Sequence, residues 1–455
     1  MFKKYIATVI GFLCMVPSFC QEKLSLSDAI QLGLKNNYDV QIERENVDIA
    51  SNNNNIGEAG LLPRLSLNVN QNNSLTDNVK TATPFQTQGE TIANSLSPTL
   101  SLNWTLFDGF RARTTSHRLA KLQEETQGNA SIVIANTIQS TILGYYVAVL
   151  ELERLRLFER NMKLSKDKYE YLKIKKELGS AVSTELLLEE NNYLTDSTSY
   201  INQQLQYRNA IRNLNILLAV KDQDTDYELT DSLAFAVVDY QYDDLHAKMT
   251  NENVDLKKQY LTQSLLNYDT RISRADLYPN LSLSTGYTDG RTRIDLSNAS
   301  FPSSEGPTPG PADPLTTRTT TLFANFTLSF NLFNGGKVKR AIRNAMIRED
   351  IGNLRIEKLK ESLNKDLLSA LDEYNTRRLL DGINERKVRA AQLNLEISQE
   401  KFKSGTINSF DYRTVQNNYL SAAFEKLQSV YNLIDSNVSL MRLTGGIIKE
   451  HQNEE

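Results

Sequence analysis

The chain is written twice. Asn191-Asn192-Tyr193-Leu194 returns unchanged as Asn417-Asn418-Tyr419-Leu420, an offset of 226 residues. At that offset Leu106-Phe107-Asp108-Gly109 answers Leu332-Phe333-Asn334-Gly335, and Gly179 answers Gly405. Leu61-Leu62-Pro63-Arg64-Leu65-Ser66-Leu67 matches Leu277-Tyr278-Pro279-Asn280-Leu281-Ser282-Leu283 at an offset of 216, so a ten-residue length difference lies between these two sets of blocks. A unit of roughly 220 residues is far too long for a solenoid repeat. The sequence therefore predicts a duplicated, domain-sized half: residues 21–220, a linker at 221–245, a second half at 246–446 and a short charged tail at 447–455.

Residues 1–20 have the three parts of an export signal. Lys3 and Lys4 start it, Tyr5 to Val16 form the apolar stretch, and Pro17 precedes the exit Ser18-Phe19-Cys20. Cleavage before Gln21 is the simplest reading; lipidation of Cys20 is the alternative, against which the bulky Phe19 counts. Both cysteines, Cys14 and Cys20, lie in that segment, so the exported chain is expected to carry no thiol, disulfide or cysteine metal site. Losing Lys3 and Lys4 makes the formal charge of −4 more negative, which argues against a nucleic-acid partner. Beyond residue 20 no apolar run approaches membrane-spanning length, Ile216 to Val220 being typical of the longest. Membrane insertion, if any, must then use β-strands.

Proline placement predicts very long helices. Residues 99–278 and 315–455 contain none of the ten prolines, and a proline inside a helix costs about 3 kcal/mol. Leu359, Leu363, Leu367, Leu371 and Tyr374 recur at helical spacing, as do Leu427, Tyr431, Ile434, Val438 and Met441. These rows read as interhelical packing. A helix is expected from about Arg111 to Leu178, on the order of 100 Å long at ~1.5 Å per residue.

Elsewhere the period is two. Leu65, Leu67 and Val69 alternate with Ser66, Asn68 and Asn70; Leu100, Leu102, Trp104 and Leu106 with Ser101, Asn103 and Thr105. In the second half Leu281 and Leu283 alternate with Ser282 and Ser284, and Leu322 through Leu332 alternate likewise with a row including Asn325, Thr327 and Ser329. Strands of about nine to eleven residues are expected, each with one apolar and one small polar face. They form two hairpins with polar loops at roughly 72–97 and 288–318, the second absorbing the length difference between the halves. Four strands cannot close a barrel, and open edges are costly in hydrocarbon. Three chains giving twelve strands is the reasonable closure, and four giving sixteen is possible in principle. Glycine at 109 and 335 suits the turns that redirect strand into helix. A barrel of strands continuing into a tube of helices is a conduit.

The ordered set of motifs resembles the outer-membrane efflux protein family of the TolC type. The residues that carry it are Leu24-Ser25-Leu26-Ser27-Asp28-Ala29-Ile30 with Leu34 and Asn36-Asn37, the two Leu-x-Pro-x-Leu-Ser-Leu blocks, Trp104 to Gly109, and the turns at Gly179 and Gly405. The resemblance covers about residues 24–446 and implies an α+β membrane protein. Each chain of a homotrimer would give four strands to a twelve-stranded outer-membrane barrel and helices to a periplasmic α-helical barrel. The implied partners are a periplasmic adaptor (membrane fusion protein), an inner-membrane pump and outer-membrane lipid, with no cofactor.

Gly179 and Gly405 are expected at the helical tips, around 175–187 and 401–413. In relatives the second tip carries two aspartates three residues apart in the aperture; here the first aligns with Asp411, while Thr414 replaces the second. Glu185 is the first-half candidate. The bland reading makes Asp411 and Glu185 ordinary carboxylates near helix starts. Trp104, Phe107 and Phe333 are candidates for the membrane interface, with junction packing as the alternative. An enzyme is disfavoured: His117, His246 and His451 are isolated, and Gly336-Lys337 lacks the remaining residues of a phosphate loop. The expected function is a passive exit duct for small molecules. The alternatives are the exit duct of a one-step (type I) protein secretion system and an envelope-spanning coiled-coil scaffold without a pore.

Overall fold

The structure is a computed structural model, and it describes residues 22–78, 88–303 and 305–448. The expected export signal with Cys14 and Cys20, most of the tail including His451, and part of the first hairpin loop lie outside the described residues.

The elements run β1 (Glu22–Leu24), α1 (Leu26–Asn36), α2 (Tyr38–Asn53), β2 (Arg64–Asn78), β3 (Gln88–Phe107), α3 (Arg111–Glu177), α4 (Ser183–Leu217) and β4 (Tyr227–Leu229). The second half follows as α5 (Tyr242–Glu252), α6 (Val254–Ala275), β5 (Asn280–Asp295), β6 (Ala299–Phe301), β7 (Thr308–Pro309), β8 (Leu315–Ser329), α7 (Lys337–Lys403) and α8 (Ser409–Leu443). The duplication extends to element length: α3 and α7 are each 67 residues, α4 and α8 each 35, α1 and α5 each 11. It reaches single hydrogen bonds. Asn37 donates its amide to the carbonyl of Leu217 at 3.1 Å, and Asn253 donates to that of Leu443 at 2.9 Å. Each asparagine sits where two helices meet, and its side-chain oxygen accepts from the following helix, from Asp39 N and Leu256 N respectively.

Two compact units cut across the duplicated halves. One gathers residues to Val47, Thr126–Gln259 and the chain from Ile356; the other holds Asp48–Glu125 and Tyr260–Arg355.

The first unit is helical. Its cores are built from α3 with α4 (Tyr145, Val149, Ile211, Leu214), from α7 with α5 and α8 (Leu363, Leu367, Leu371, Tyr374 with Met249 and Leu433), and from α1, α3 and α8 (Ile30, Ile138, Ile434, Val438). The leucine rows seen in the sequence thus pack helix on helix. Residues 221–245, between the halves, hold β4, which pairs in parallel with β1, and Tyr227 and Leu229 enter the core. Ile447, just past the second half, is fully buried in the third cluster. One difference concerns α3, which holds a stretch of mean hydropathy 1.4 that by length and composition could cross a membrane. Ala135, Ile138, Ile142, Tyr145 and Val149 commit it to the helical cores instead.

The second unit is built on an antiparallel sheet in the order β2, β3, β5, β8. The strands contain 15, 20, 16 and 15 residues, longer than the nine to eleven expected. Residues 72–78 and 88–97 are ladder rather than loop, as are 288–295 and 315–318. At the other end β8 stops at Ser329, so Phe330 to Leu332 leave the strand. The extra length of the second half is the β6–β7 excursion, in which β6 pairs with the start of β3.

Candidate functional site

Cross-strand register sorts the sheet into two faces. Leu67, Leu100, Tyr287 and Leu322 share one row, and Leu65, Leu102, Thr285 and Ala324 the next. Trp104, Leu283 and Phe326 continue the same face. The opposite face is mostly small and polar, with Arg64 at the start of β2 facing Asn103: Ser66 bonds Ser101 at 3.0 Å, Thr99 bonds Thr288 at 3.0 Å and Ser284 donates to Asn103 at 2.9 Å. Bulky groups interrupt it at Phe323 and, toward the hairpin end, at Ile294 and Leu315, which face each other. Phe323 lies over Gly286, where an added Cβ would come within 2.8 Å of the ring. Exposed Leu67, Leu322 and Phe326 make the first face a surface for hydrocarbon, and the second suits a wet wall.

The strand-to-helix turns are glycine positions for a structural reason. Gly109 has φ +68, and a Cβ there would meet the carbonyl of Ala275 at 2.4 Å; Gly335 has φ +62. Among the proposed interface aromatics, Trp104 donates its ring N–H to the carbonyl of Leu61 at 3.0 Å. Phe107 packs edge-on against Phe110 at 5.3 Å, and Phe333 is 89 % exposed.

The tips in the helical unit are two copies of one turn. Gly179 N–H bonds the Lys176 carbonyl and Ser180 N–H that of Lys175, at 2.9 and 2.8 Å; Gly405 and Thr406 repeat this on Phe402 and Lys401 at 3.0 and 2.8 Å. This crossed pair closes a helix only with a left-handed residue, and φ is +73 at Gly179 and +74 at Gly405. Of the sequence-predicted residues, Glu185, Gly405 and Asp411 meet around one open cleft of about 450 Å³, which Lys175 also lines, while Gly179 and Thr414 lie outside its lining. Asn408 caps α8 by accepting from Asp411 N–H at 2.8 Å, leaving the exposed Asp411 carboxylate free of that duty. Glu185 accepts from the Ser409 hydroxyl at 3.1 Å, and Thr414 bonds back to the Phe410 carbonyl at 3.1 Å.

Behind the tips lies a network that the sequence reading missed. Lys168 Nζ is 2.9 Å from Glu189, with side chains only 5 % and 1 % exposed. The contact is off the line of an aligned hydrogen bond, so charge rather than directed bonding holds that oxygen. The same ammonium stands 4.7 Å from the Phe402 ring centre and 5.0 Å from that of Tyr412, and these rings stack at 5.2 Å. Burial pulls the Lys168 pKa below its ordinary value, and Glu189 opposes the shift. One heptad along α4, Asp196 takes Arg413 through two bonds of 2.6 and 2.7 Å and also accepts from Ser165. The bond to Asp196 raises the Arg413 pKa against its burial. A further heptad on, Gln203 donates to Glu151 at 2.6 Å. The α3–α4 seam is therefore polar at Glu189, Asp196 and Gln203, whereas their counterparts on α8, Val415, Ala422 and Ser429, are apolar or small. The available signal was the seven-residue spacing of polar residues on a helix that must pack.

An amphipathic sheet with open edges, in one chain with two 67-residue helices, defines the class: a strand-inserted membrane channel with a helical extension. The family description "Outer membrane efflux protein" matches residues 29–220 and 246–446, and the chain belongs to that family. It is therefore a channel protein of the outer membrane with a periplasmic helical part, not an enzyme. Its fold matches the CmeC outer membrane channel of Campylobacter jejuni with a TM-score of 0.72 at 19% identity, covering 94% of this chain and 89% of that one. The outer membrane protein VceC of Vibrio cholerae gives 0.68 at 12%, covering 92% and 96%. The open state of the MtrE outer membrane channel of Neisseria gonorrhoeae gives 0.66 at 15%, covering 92% and 88%. Identities this low carry the fold and not the cargo. Among curated proteins no sequence matches the chain.

Proposed function

We propose that the chain assembles as a homotrimer into the passive exit duct of a tripartite efflux system, taking small molecules from an inner-membrane pump through a periplasmic adaptor. The observation that carries this reading is the four-stranded sheet: among the described residues β2 and β8 have no partner on their outer edges, in a family of outer-membrane channels. Unpaired backbone at membrane depth costs several kcal/mol per group, so the sheet needs copies of itself, and three supply twelve strands. Asp411, Thr414 and Glu185 then belong to the periplasmic aperture, Gly179 and Gly405 shape the tips that meet the adaptor, and Trp104, Phe107 and Phe333 lie toward the membrane interface.

In-cell crosslinking of a tagged chain with mass spectrometry of its partners tests this. An adaptor with a proton-driven or drug-type pump supports the reading. An adaptor with a protein-exporting ATPase moves the function to secretion. A detergent-extracted chain that never runs as a heat-sensitive trimer would remove the duct.

A further inference from the structure

The face that carries the hydrocarbon-facing leucines does not end in neutral groups. Past Tyr287 on β5 the same face presents Asp289, Arg291 and Arg293, and Arg318 on β8 stands directly opposite Arg291. All three arginines are exposed. Asp289, with its side chain only 16 % exposed, lies beneath them: Arg318 donates to it at 2.8 and 3.2 Å, and Arg291 approaches to 3.6 Å. One carboxylate thus converges two guanidinium groups, with Arg293 one row further. The next acid on this face, Asp295, accepts from Ser297 N–H at 3.0 Å. Asp77 and Glu90 face each other on β2 and β3, beyond Asn94, the residue that faces Arg293.

The height of this cluster is informative. From Leu281 to Arg291 the strand rises about 26 Å, at ~3.4 Å per residue and a tilt of ~40°. That is about the ~25 Å height of an outer-membrane apolar band. Leu281 stands near the helix-connected end of the sheet and Arg291 toward its hairpin end, so the arginines emerge at headgroup level on the side away from the periplasm.

We propose that Arg291, Arg293 and Arg318 form a binding site for a phosphate-bearing lipid headgroup of the outer leaflet. Guanidinium forks match phosphate oxygens in pairs. Asp289 occupies two of the forks and offsets one of the three charges, so a phosphate competes with it for the guanidinium groups, and the apolar band below takes the acyl chains. The inference rests on the outer-membrane placement of the sheet and not on the cargo, so an erroneous efflux assignment would leave it standing.

The test uses the full-length protein in nanodiscs of zwitterionic lipid, doped either with phosphorylated lipid A or with its dephosphorylated form, and counts lipid retained on the protein by mass spectrometry. Selective retention of the phosphorylated form is expected. Arg291→Gln and Arg293→Gln should each lower it about fivefold. Asp289→Asn should raise it, a direction that simple loss of strand order would not give. Equal retention of both lipids, or no change in either arginine variant, overturns the proposal. So does displacement by inorganic phosphate at concentrations matched to the lipid, which would make this a site for free anions.

Discussion

Lys168 on α3 and Glu189 on α4 form an ion pair 2.9 Å long that is almost wholly removed from water. With so little exposure, solvent screening cannot soften the loss of either partner. Lys168→Met or Glu189→Leu alone strands a charge and is expected to cost about 3–5 kcal/mol, while the double Met/Leu variant recovers most of it. Chemical unfolding of the three proteins, with hydrogen exchange at 165–190, decides this. Additive losses in the double variant would show that the two charges do not act as a pair.

Tyr145 predicts an alkaline limit. Its hydroxyl donates its one proton to the Asp231 carboxylate at 2.7 Å, with the Leu24 carbonyl 3.0 Å away as the competing acceptor, and Asp231 also accepts from Leu26 N–H at 2.8 Å. Burial, then the bond to Asp231, raises the phenol above its ordinary value of 10.0. The folded state therefore keeps a proton that the unfolded state gives up. Its stabilisation is complete below pH 10 and falls as pH climbs from there toward the raised folded value. Tyr145→Phe should lose about 1–3 kcal/mol at neutral pH and flatten the decline above pH 10. Unfolding midpoints between pH 8 and 11 are the measurement; parallel curves would refute the assignment.

What the sequence revealed and what it hid follow from how each element is stabilised. Proline-free runs and glycine stops located α3 to within a residue of its end, because both act locally on the backbone. The strands were found at Leu65, Leu100, Leu281 and Leu322 but read short. Beyond the apolar band the strand continues through Gln71, Asn72 and Asn73 or Thr316, Thr317 and Thr319, where pairing with a neighbour rather than residue preference keeps it extended. β4 is three residues long, too short for any period to register, and only its partner β1 reveals it. The buried charges at Lys168, Glu189 and Asp196 look like a solvated helix face until the seven-residue spacing on α4 is set against α3.

The tip turns predict an asymmetry between alanine and asparagine. Gly405 has open space around its missing Cβ, so only its φ of +74 excludes other residues. Gly405→Ala is expected to cost about 1–2 kcal/mol locally, and Gly405→Asn less, since asparagine visits this region more readily. Faster amide exchange at 401–412 in the alanine variant alone is the expected pattern. Equal effects would point to a contact made by the tip rather than to its backbone.

Asp411 separates a gating role from a capping one. Because Asn408 caps α8 through the backbone N–H of Asp411, Asp411→Asn removes a charge and spares the cap. Channels reconstituted from this variant should lose cation preference, with a smaller loss for Glu185→Gln, whose carboxylate also holds Ser409. Reversal potentials identical to those of the parent protein would remove Asp411 from the aperture.

The two faces of β8 should respond oppositely to the same charge. Leu322, opposite Tyr287 near the middle of the band, belongs to the apolar face, and Thr321, its neighbour, pairs with Thr288 on the polar one. Leu322 is 81 % exposed in the single chain, so a lysine there would be harmless if water bathed that face. In hydrocarbon it costs about 2–4 kcal/mol near the midplane. Leu322→Lys should therefore prevent stable insertion into lipid vesicles, whereas Thr321→Lys inserts normally and shifts ion selectivity. If both lysines inserted equally well, the leucine face would not be the lipid face, and the assignment of wall and lumen would have to be exchanged.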